Sequence, residues 1–310
     1  MAKENALSVR VHSIKHGGGP RMFLDRIKRP LKKRGISLTT IGPFAVELAF
    51  ITRKNKGGWP CVLRVDGCYY QESDRSKNKA IKTSIERSDH IIFQSSFSKQ
   101  MCEKILKPKG KRPTSIIHNG FPRVKVDHIE PAKGIDPSSF VICSTNEVKR
   151  VESSVKGFLE ADTGRDLYVI GDANRFKKLG KHSSIHLLGK KNNQQTLSIM
   201  KACSYQMHLS YIDSCPNAVV EGLSLGLNVL CTNLGGTKEL VQDNGIVLEA
   251  DEDFDFQIRR GTPRNIDAKF IASGIHDLIK ITHRADRPDL DIVHAADKYA
   301  EIIKGLANGT

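Results

Sequence analysis

Residues 210–241 read SYIDSCPNAVVEGLSLGLNVLCTNLGGTKELV. An acid, Asp213, stands eight positions before a second acid, Glu221, with Pro216 between them. The proline, followed by Asn217 and Ala218, predicts the start of a helix, and Gly226 predicts its end. Residues 228–231 form a short apolar run suited to a strand. Gly235-Gly236 then turns the chain into another helix beginning at Thr237. Strand, turn and helix in this order belong to a parallel sheet. Two helix starts are thus expected at one crevice beyond the strand ends, a place that suits a phosphate group. Carboxylates accept hydroxyl hydrogen bonds, so the expected ligand is a nucleotide joined to a sugar.

The same alternation runs outward in both directions. Residues 140–144, 167–171, 185–188, 205–210 and 245–248 read as strands. Residues 153–161, 194–202, 268–282 and 293–306 read as helices, and 251–267 as a polar loop. In the first half, 7–14, 37–41, 60–65, 89–94 and 115–118 read as strands. Residues 22–34, 76–87 and 96–106 read as helices, the first interrupted by Pro30 and closed by Gly35. Residues 44–52 fit a short helix or a strand equally. Residues 121–137, rich in Pro, Lys and acids and without periodicity, read as a linker. Alternation of this kind predicts an α/β chain of two Rossmann-like parallel-sheet domains facing a cleft. The expected bounds are 1–130, 131–290 and a final helical segment, 291–310.

At 310 residues and 39% hydrophobic content the chain can bury two cores. No apolar run approaches the roughly 18 residues of a membrane span. The start, MAKENALSVRVHS, lacks the apolar stretch of a signal peptide, so a cytoplasmic protein is expected. The seven cysteines are scattered without a CxxC pair, which favours buried free thiols over disulfides or zinc. The net charge of +15 is one-sided. Residues 1–134 hold 28 Lys and Arg against 11 Asp and Glu, and the remainder 21 against 23. A basic first half suggests an anionic partner, including peripheral contact with a membrane surface. A merely solubilising surface explains the same count.

DSCPNAVVEGLSLGLNVL and TNLGGTKEL together resemble the family-4 retaining glycosyltransferases, glycosyl transferases group 1 of the GT-B fold. The resemblance extends upstream to KRVESSVKGFLEA, LYVIGDA and IHLLGKK. In the first half, HGGGPRMFLDRIKRPLKKRGISLT looks like the family's glycine-rich first loop and helix. SDHIIFQSSFSKQ and SIIHNGF look like its later strands. The likeness is strong over 140–250 and loose over 8–121. It implies the GT-B fold, with the last helix packed back on the first domain. It further implies a metal-independent, hexosyltransferase-like enzyme that needs no cofactor. That enzyme would move a sugar, with retention, from a UDP- or GDP-sugar to a hydroxyl of a glycan, lipid or protein acceptor.

Residue by residue, the resemblance gives Asp213 the place of an acid that contacts donor-sugar hydroxyls. The family usually carries Glu there, one methylene longer, and a helix-capping acid would look the same. Glu221 takes the place of the ribose-binding acid, beside Pro216, Asn217 and Ala218. Gly235, Gly236 and Thr237 are expected to let the diphosphate approach the backbone, though a plain strand-to-helix turn also needs glycines. Gly17, Gly18 and Gly19 suit a phosphate or sugar passing the first helix, or a tight turn alone. Gly189 marks backbone expected near the base. Lys149 and Arg150, in STNEVKRVESS, are the candidates to neutralise the leaving diphosphate. The family's upstream Arg is missing, and Thr145, Asn146 and Glu147 stand there. In RVDG, Asp66 fits an acceptor-side acid that orients or deprotonates a hydroxyl, or a turn aspartate before Gly67. Arg64 fits an anionic acceptor group or a surface arginine. His16 and His118, also at strand ends, rank lower. No DxD-type pair suggests a metal site.

Three other readings compete. One is another GT-B enzyme, such as a sugar-nucleotide epimerase. Another is a nucleic-acid-binding protein, which would bind in a salt-dependent way; the 6% aromatic content and the lack of a nucleic-acid motif weigh against it. The third is a catalytically degenerate nucleotide-sugar-binding protein, kept open by the missing arginine.

Overall fold

Val9, Val11, Val46, Leu48 and Val62 recur with a period of two and turn to one side of a sheet. The computed structural model describes residues 6–12, 18–54, 57–143, 149–172, 176–250, 254–261 and 264–309. It divides into two compact units. The first comprises Met1–Pro122, Asp255–Arg260 and Asp289–Thr310, and the second Arg123–Phe254 and Gly261–Pro288. All 15 net positive charges fall in the first, with 29 Lys and Arg against 14 Asp and Glu; the second holds 20 of each.

The first unit runs β1 (Leu7–Val11), α1 (Gly19–Lys33), β2 (Ile36–Thr39), β3 (Val46–Phe50), β4 (Cys61–Val65), α2 (Asn78–Glu86), β5 (His90–Phe93), α3 (Ser96–Leu106) and β6 (Thr114–Ile116). Its six strands are parallel in the order β2-β1-β3-β4-β5-β6. One face packs on Phe23, Ile27 and Leu31 of α1, and on Ile292, Ala296 and Tyr299 of the chain's last helix, α9 (Ile292–Ala307). The other face packs on Ile81 and Ile85 of α2 and Cys102 and Leu106 of α3.

Four expectations change here. Residues 44–52 contain a strand, β3. Helix α1 continues through Pro30, because Phe23, Ile27 and Leu31 keep an unbroken four-residue stripe in the core. Burying that stripe outweighs the roughly 3 kcal/mol that an interior proline costs. The division between units falls at Pro122, not near 130. Residues beyond it are tied to the second unit, by Lys201 Nζ donating to Val126 O (2.6 Å) and Ala132 N to Ser198 O (3.0 Å). Finally, the expected polar loop over 251–267 contributes Asp255–Arg260 to the first unit. Glu72 N donates to Arg259 O (2.9 Å) and Arg259 N to Tyr70 O (2.7 Å), while Phe256 lies 5.7 Å from the Phe97 ring.

The second unit runs β7 (Phe140–Ile142), α4 (Val151–Ala161), β8 (Leu167–Ile170), β9 (Ile185–Gly189), α5 (Asn193–Ala202), β10 (Tyr205–His208), α6 (Asn217–Ser224), β11 (Asn228–Thr232), α7 (Thr237–Val241), β12 (Gly245–Leu248) and α8 (Ala268–Leu278). Its strands are parallel in the order β12-β11-β10-β7-β8-β9. The chain winds one way from β7 and the other way from β10, so the order reverses between these two neighbours. In open parallel sheets that reversal leaves a crevice beyond the carboxyl ends of the strands.

Candidate functional site

The carboxyl ends of β7 and β10 gather Lys149, His208 and Asp213. His208 is the last residue of β10, and Asp213 sits in the loop that leads to α6. Lys149 lies just before α4. Its Nζ donates to Asp213 Oδ2. His208 Nε2 stands 3.4 Å from the same oxygen and 3.5 Å from Lys149 Nζ. The Lys149 and Asp213 side chains are 17% and 21% exposed, enough to be reached by a ligand. Burial pushes the Asp213 carboxyl up, but the Lys149 charge and the His208 contact more than offset it and hold the group well below the usual carboxylate range. The His208 imidazole is shifted down by burial and then by Lys149, against the opposing pull of Asp213.

Arg150 takes a different course from Lys149. It sits in the left-handed region at φ 51° as the residue before α4, is buried, and places its guanidinium 5.0 Å over the Tyr211 ring. Of the two cations proposed from the sequence, Lys149 pairs with Asp213 and Arg150 packs on Tyr211.

Pro216 caps α6 from outside, and Asn217 and Ala218 form its half-buried first turn. Glu221 is buried on that helix, at 4% exposure, so it is not a solvated surface acid. Burial, and then the Glu221 charge, raise the Cys143 thiol at the end of β7. Gly222 faces the buried Gln206, where a methyl group would come within 2.0 Å of Oε1. Gln206 Nε2 in turn donates to Ala218 O (3.1 Å), pinning the start of α6 to β10.

The Gly235-Gly236 turn packs against the main chain of Asp213. Gly235 adopts φ 87°, and a Cβ there would stand 2.6 Å from Asp213 O. Gly236 N donates to that same carbonyl oxygen at 2.7 Å. Gly235 thus admits the Asp213 main chain, and the Gly236 amide donates to it. Thr237 is buried at the start of α7. Gly189 closes β9 at φ 69°, with open space where a side chain would be.

In the first unit, Asp66 follows the end of β4. Arg64 is fully buried, its guanidinium 4.4 Å from the Phe23 ring and 5.4 Å from Phe50. Nη1 meets Asp66 Oδ1 at 2.6 Å and Nη2 donates to Asn119 Oδ1 at 2.8 Å. Arg64 is therefore neither a surface arginine nor free to receive an anionic acceptor. Gly18 precedes α1 at φ 144° and Gly19 is its first residue. Gly17, His16, Thr145, Asn146 and Glu147 lie outside the described residues.

Sequence reasoning missed His208. A single histidine closing a short strand carries no motif, and only the β7–β10 reversal brings it beside Lys149 and Asp213. Among the described residues, no group of three His, Cys, Asp or Glu is arranged to hold a metal ion. No helix among them is long and apolar enough to cross a membrane.

Residues 142–260, the span that holds this cluster, match the family model described as Glycosyl transferases group 1. Over this segment the chain is similar to the group 1 glycosyltransferases. A curated relative, the uncharacterized glycosyltransferase MJ1178 of Methanocaldococcus jannaschii, is 26% identical over 207 residues. The match takes in 63% of this chain and 56% of the relative, so the chain spans little more than half of that protein's length. Among solved structures, Anabaena HepE in complex with UDP superposes with a TM-score of 0.64 at 14% identity, covering 98% of both chains. Sucrose-phosphate synthase from Thermosynechococcus elongatus gives 0.65 at 10% identity, covering 98% of this chain and 97% of its own. WaaG, a glycosyltransferase involved in lipopolysaccharide biosynthesis, gives 0.60 at 14% identity, covering 98% of both. The chain thus has the two-sheet GT-B fold.

Proposed function

We propose that the protein is a retaining glycosyltransferase that moves a sugar from a nucleotide-diphosphate sugar to a hydroxyl acceptor without a metal ion. The observation that carries this reading is the half-open Lys149–Asp213 pair at the β7–β10 reversal, with Glu221 on the adjoining helix. In this reading Glu221 accepts hydrogen bonds from the ribose hydroxyls and Asp213 from a sugar hydroxyl. The Lys149 ammonium neutralises charge on the departing diphosphate, the task a metal would otherwise perform. The anomeric carbon–phosphate oxygen bond breaks, a bond from that carbon to the acceptor oxygen forms, and the acceptor proton leaves with the diphosphate. UDP is the first nucleotide to try, because HepE was solved with UDP and with UDP-glucose.

The acceptor belongs to the first unit in this proposal. Asp66 orients its hydroxyl from the end of β4, with Arg64 fixing the position of the carboxylate. The basic excess of that unit favours an acceptor carrying anionic groups, including one presented at a membrane surface.

A panel of UDP- and GDP-sugars, scored by thermal stabilisation and slow hydrolysis in the presence of EDTA, tests the reading. One nucleotide series should raise the melting temperature and be hydrolysed with chelator present. If no nucleotide diphosphate stabilises the protein, the reading fails; if EDTA alone abolishes turnover, its metal-free part fails.

A further inference from the structure

We propose that His208 is a positioning residue that takes hold of Asp213 when Lys149 turns to the donor's diphosphate. The proposal rests on the donor-site reading above and adds to it a residue that no motif marks.

The geometry sets up an exchange of partners. A single nitrogen, Nε2, lies 3.5 Å from the Lys149 ammonium and 3.4 Å from Asp213 Oδ2. It can serve one of them at a time. As a bare nitrogen it accepts a hydrogen from Lys149; as N–H it donates to the carboxylate. Burial and the neighbouring ammonium keep the ring neutral near pH 7, so it carries one hydrogen, on one nitrogen or the other. The charged groups facing it are Lys149, ahead of α4, and Asp213, in the loop after β10; on β11 its register neighbour is the thiol of Cys231.

Lys149 supplies the counter-charge of Asp213. Drawing that ammonium to a diphosphate would leave a largely buried carboxylate without its partner, a costly state. The tautomer with hydrogen on Nε2 removes the problem with no net change in protons. It holds Oδ2 and leaves Oδ1 for a sugar hydroxyl. The main chain of Asp213 is already fixed through its carbonyl by Gly236. Side-chain rotation is the freedom left to control, and a short acid tolerates less misplacement than a longer one.

The test uses the full chain and UDP-glucose, or the GDP-sugar that replaces it if the panel favours guanine. His208→Leu should lower kcat for hydrolysis or transfer roughly 100-fold while the affinity for the free nucleotide diphosphate stays within about threefold. His208→Gln, whose amide donates from a similar position, should recover most of the loss. If the leucine variant does not fold, His208→Asn, polar but too short to reach Asp213, should show the same fall in kcat. A leucine or asparagine variant with wild-type kcat overturns the proposal, and so does a glutamine variant no better than leucine. Failure of the wild type to bind any nucleotide diphosphate sinks the donor-site reading instead.

Discussion

Arg64–Asp66 in the first unit and Lys149–Asp213 in the second are chemically alike, an acid and a cation near the end of a parallel strand. They are held in different ways. Arg64 is enclosed by Phe23 and Phe50 and shares its guanidinium between Asp66 and Asn119. Lys149 and Asp213 are each partly open, and a second nitrogen, from His208, stands beside both. A planar guanidinium held between rings cannot change partners without opening the core. An ammonium on a flexible stem can. One pair is a fixed support for its acid, and the other leaves both its acid and its cation partly open.

The largest expected effect breaks the second pair. Lys149→Met should lower turnover of the stabilising nucleotide sugar about 100-fold or more, while His208, still beside Asp213, keeps the loss of unfolding free energy below the roughly 3 kcal/mol of breaking an enclosed pair. Steady-state kinetics and urea denaturation read the two quantities. A large loss of stability would make this pair structural, like its counterpart.

Arg64→Met should reverse the pattern in the first unit. Removing the cation leaves Asp66 and Asn119 without their buried partner, at a cost of about 3 kcal/mol in a urea melt. A variant as stable as wild type would show that the enclosed pair supports nothing.

Gly235→Ala sharpens the comparison from the backbone side. The new methyl group meets Asp213 O, and φ 87° disfavours any side chain. A loss of roughly 2 kcal/mol is expected, with weaker nucleotide-diphosphate binding by calorimetry. Binding that is unchanged while stability drops would separate the glycine turn from the ligand.

The smallest effect is a pH dependence. The folded-state pKa of His208 lies below its ordinary value of 6.5. Below that value the unfolded chain binds a proton that the folded chain resists, so stability falls on acidification from neutral pH towards pH 5. The melting temperature of wild type should drop across this window, and His208→Gln should flatten the slope. Equal slopes would mean that the ring is not held neutral.

Much of this arrangement was legible in the chain. The spacing of Asp213, Pro216 and Glu221, and the Gly235-Gly236 turn, led to a parallel crossover, and β10, α6, β11 and α7 follow that order. Helix α1 shows where local reasoning stops. Pro30 argues for a break on local grounds, yet a core-facing stripe on either side carries the helix through. Asp255–Arg260 is polar and aperiodic, and its assignment depends on main-chain bonds to residues some 190 positions earlier, at Tyr70 and Glu72. At the glycine pair, the approach of the Asp213 carbonyl to Gly235 joins two loops and leaves no mark in the local pattern.

By itself the sequence determined the class of fold, the location of the Asp213–Glu221 motif and the side of the chain that carries the positive charge. These follow from periodicity, turn chemistry and composition, which act over a few residues or simply add up. Only the tertiary structure decided which cation faces which acid. It turned Arg150 onto Tyr211, buried Arg64 between two rings, and set His208 against Lys149 and Asp213. Those choices depend on where strands from distant parts of the chain end, and at the β7–β10 reversal two strand ends separated by 65 residues become neighbours.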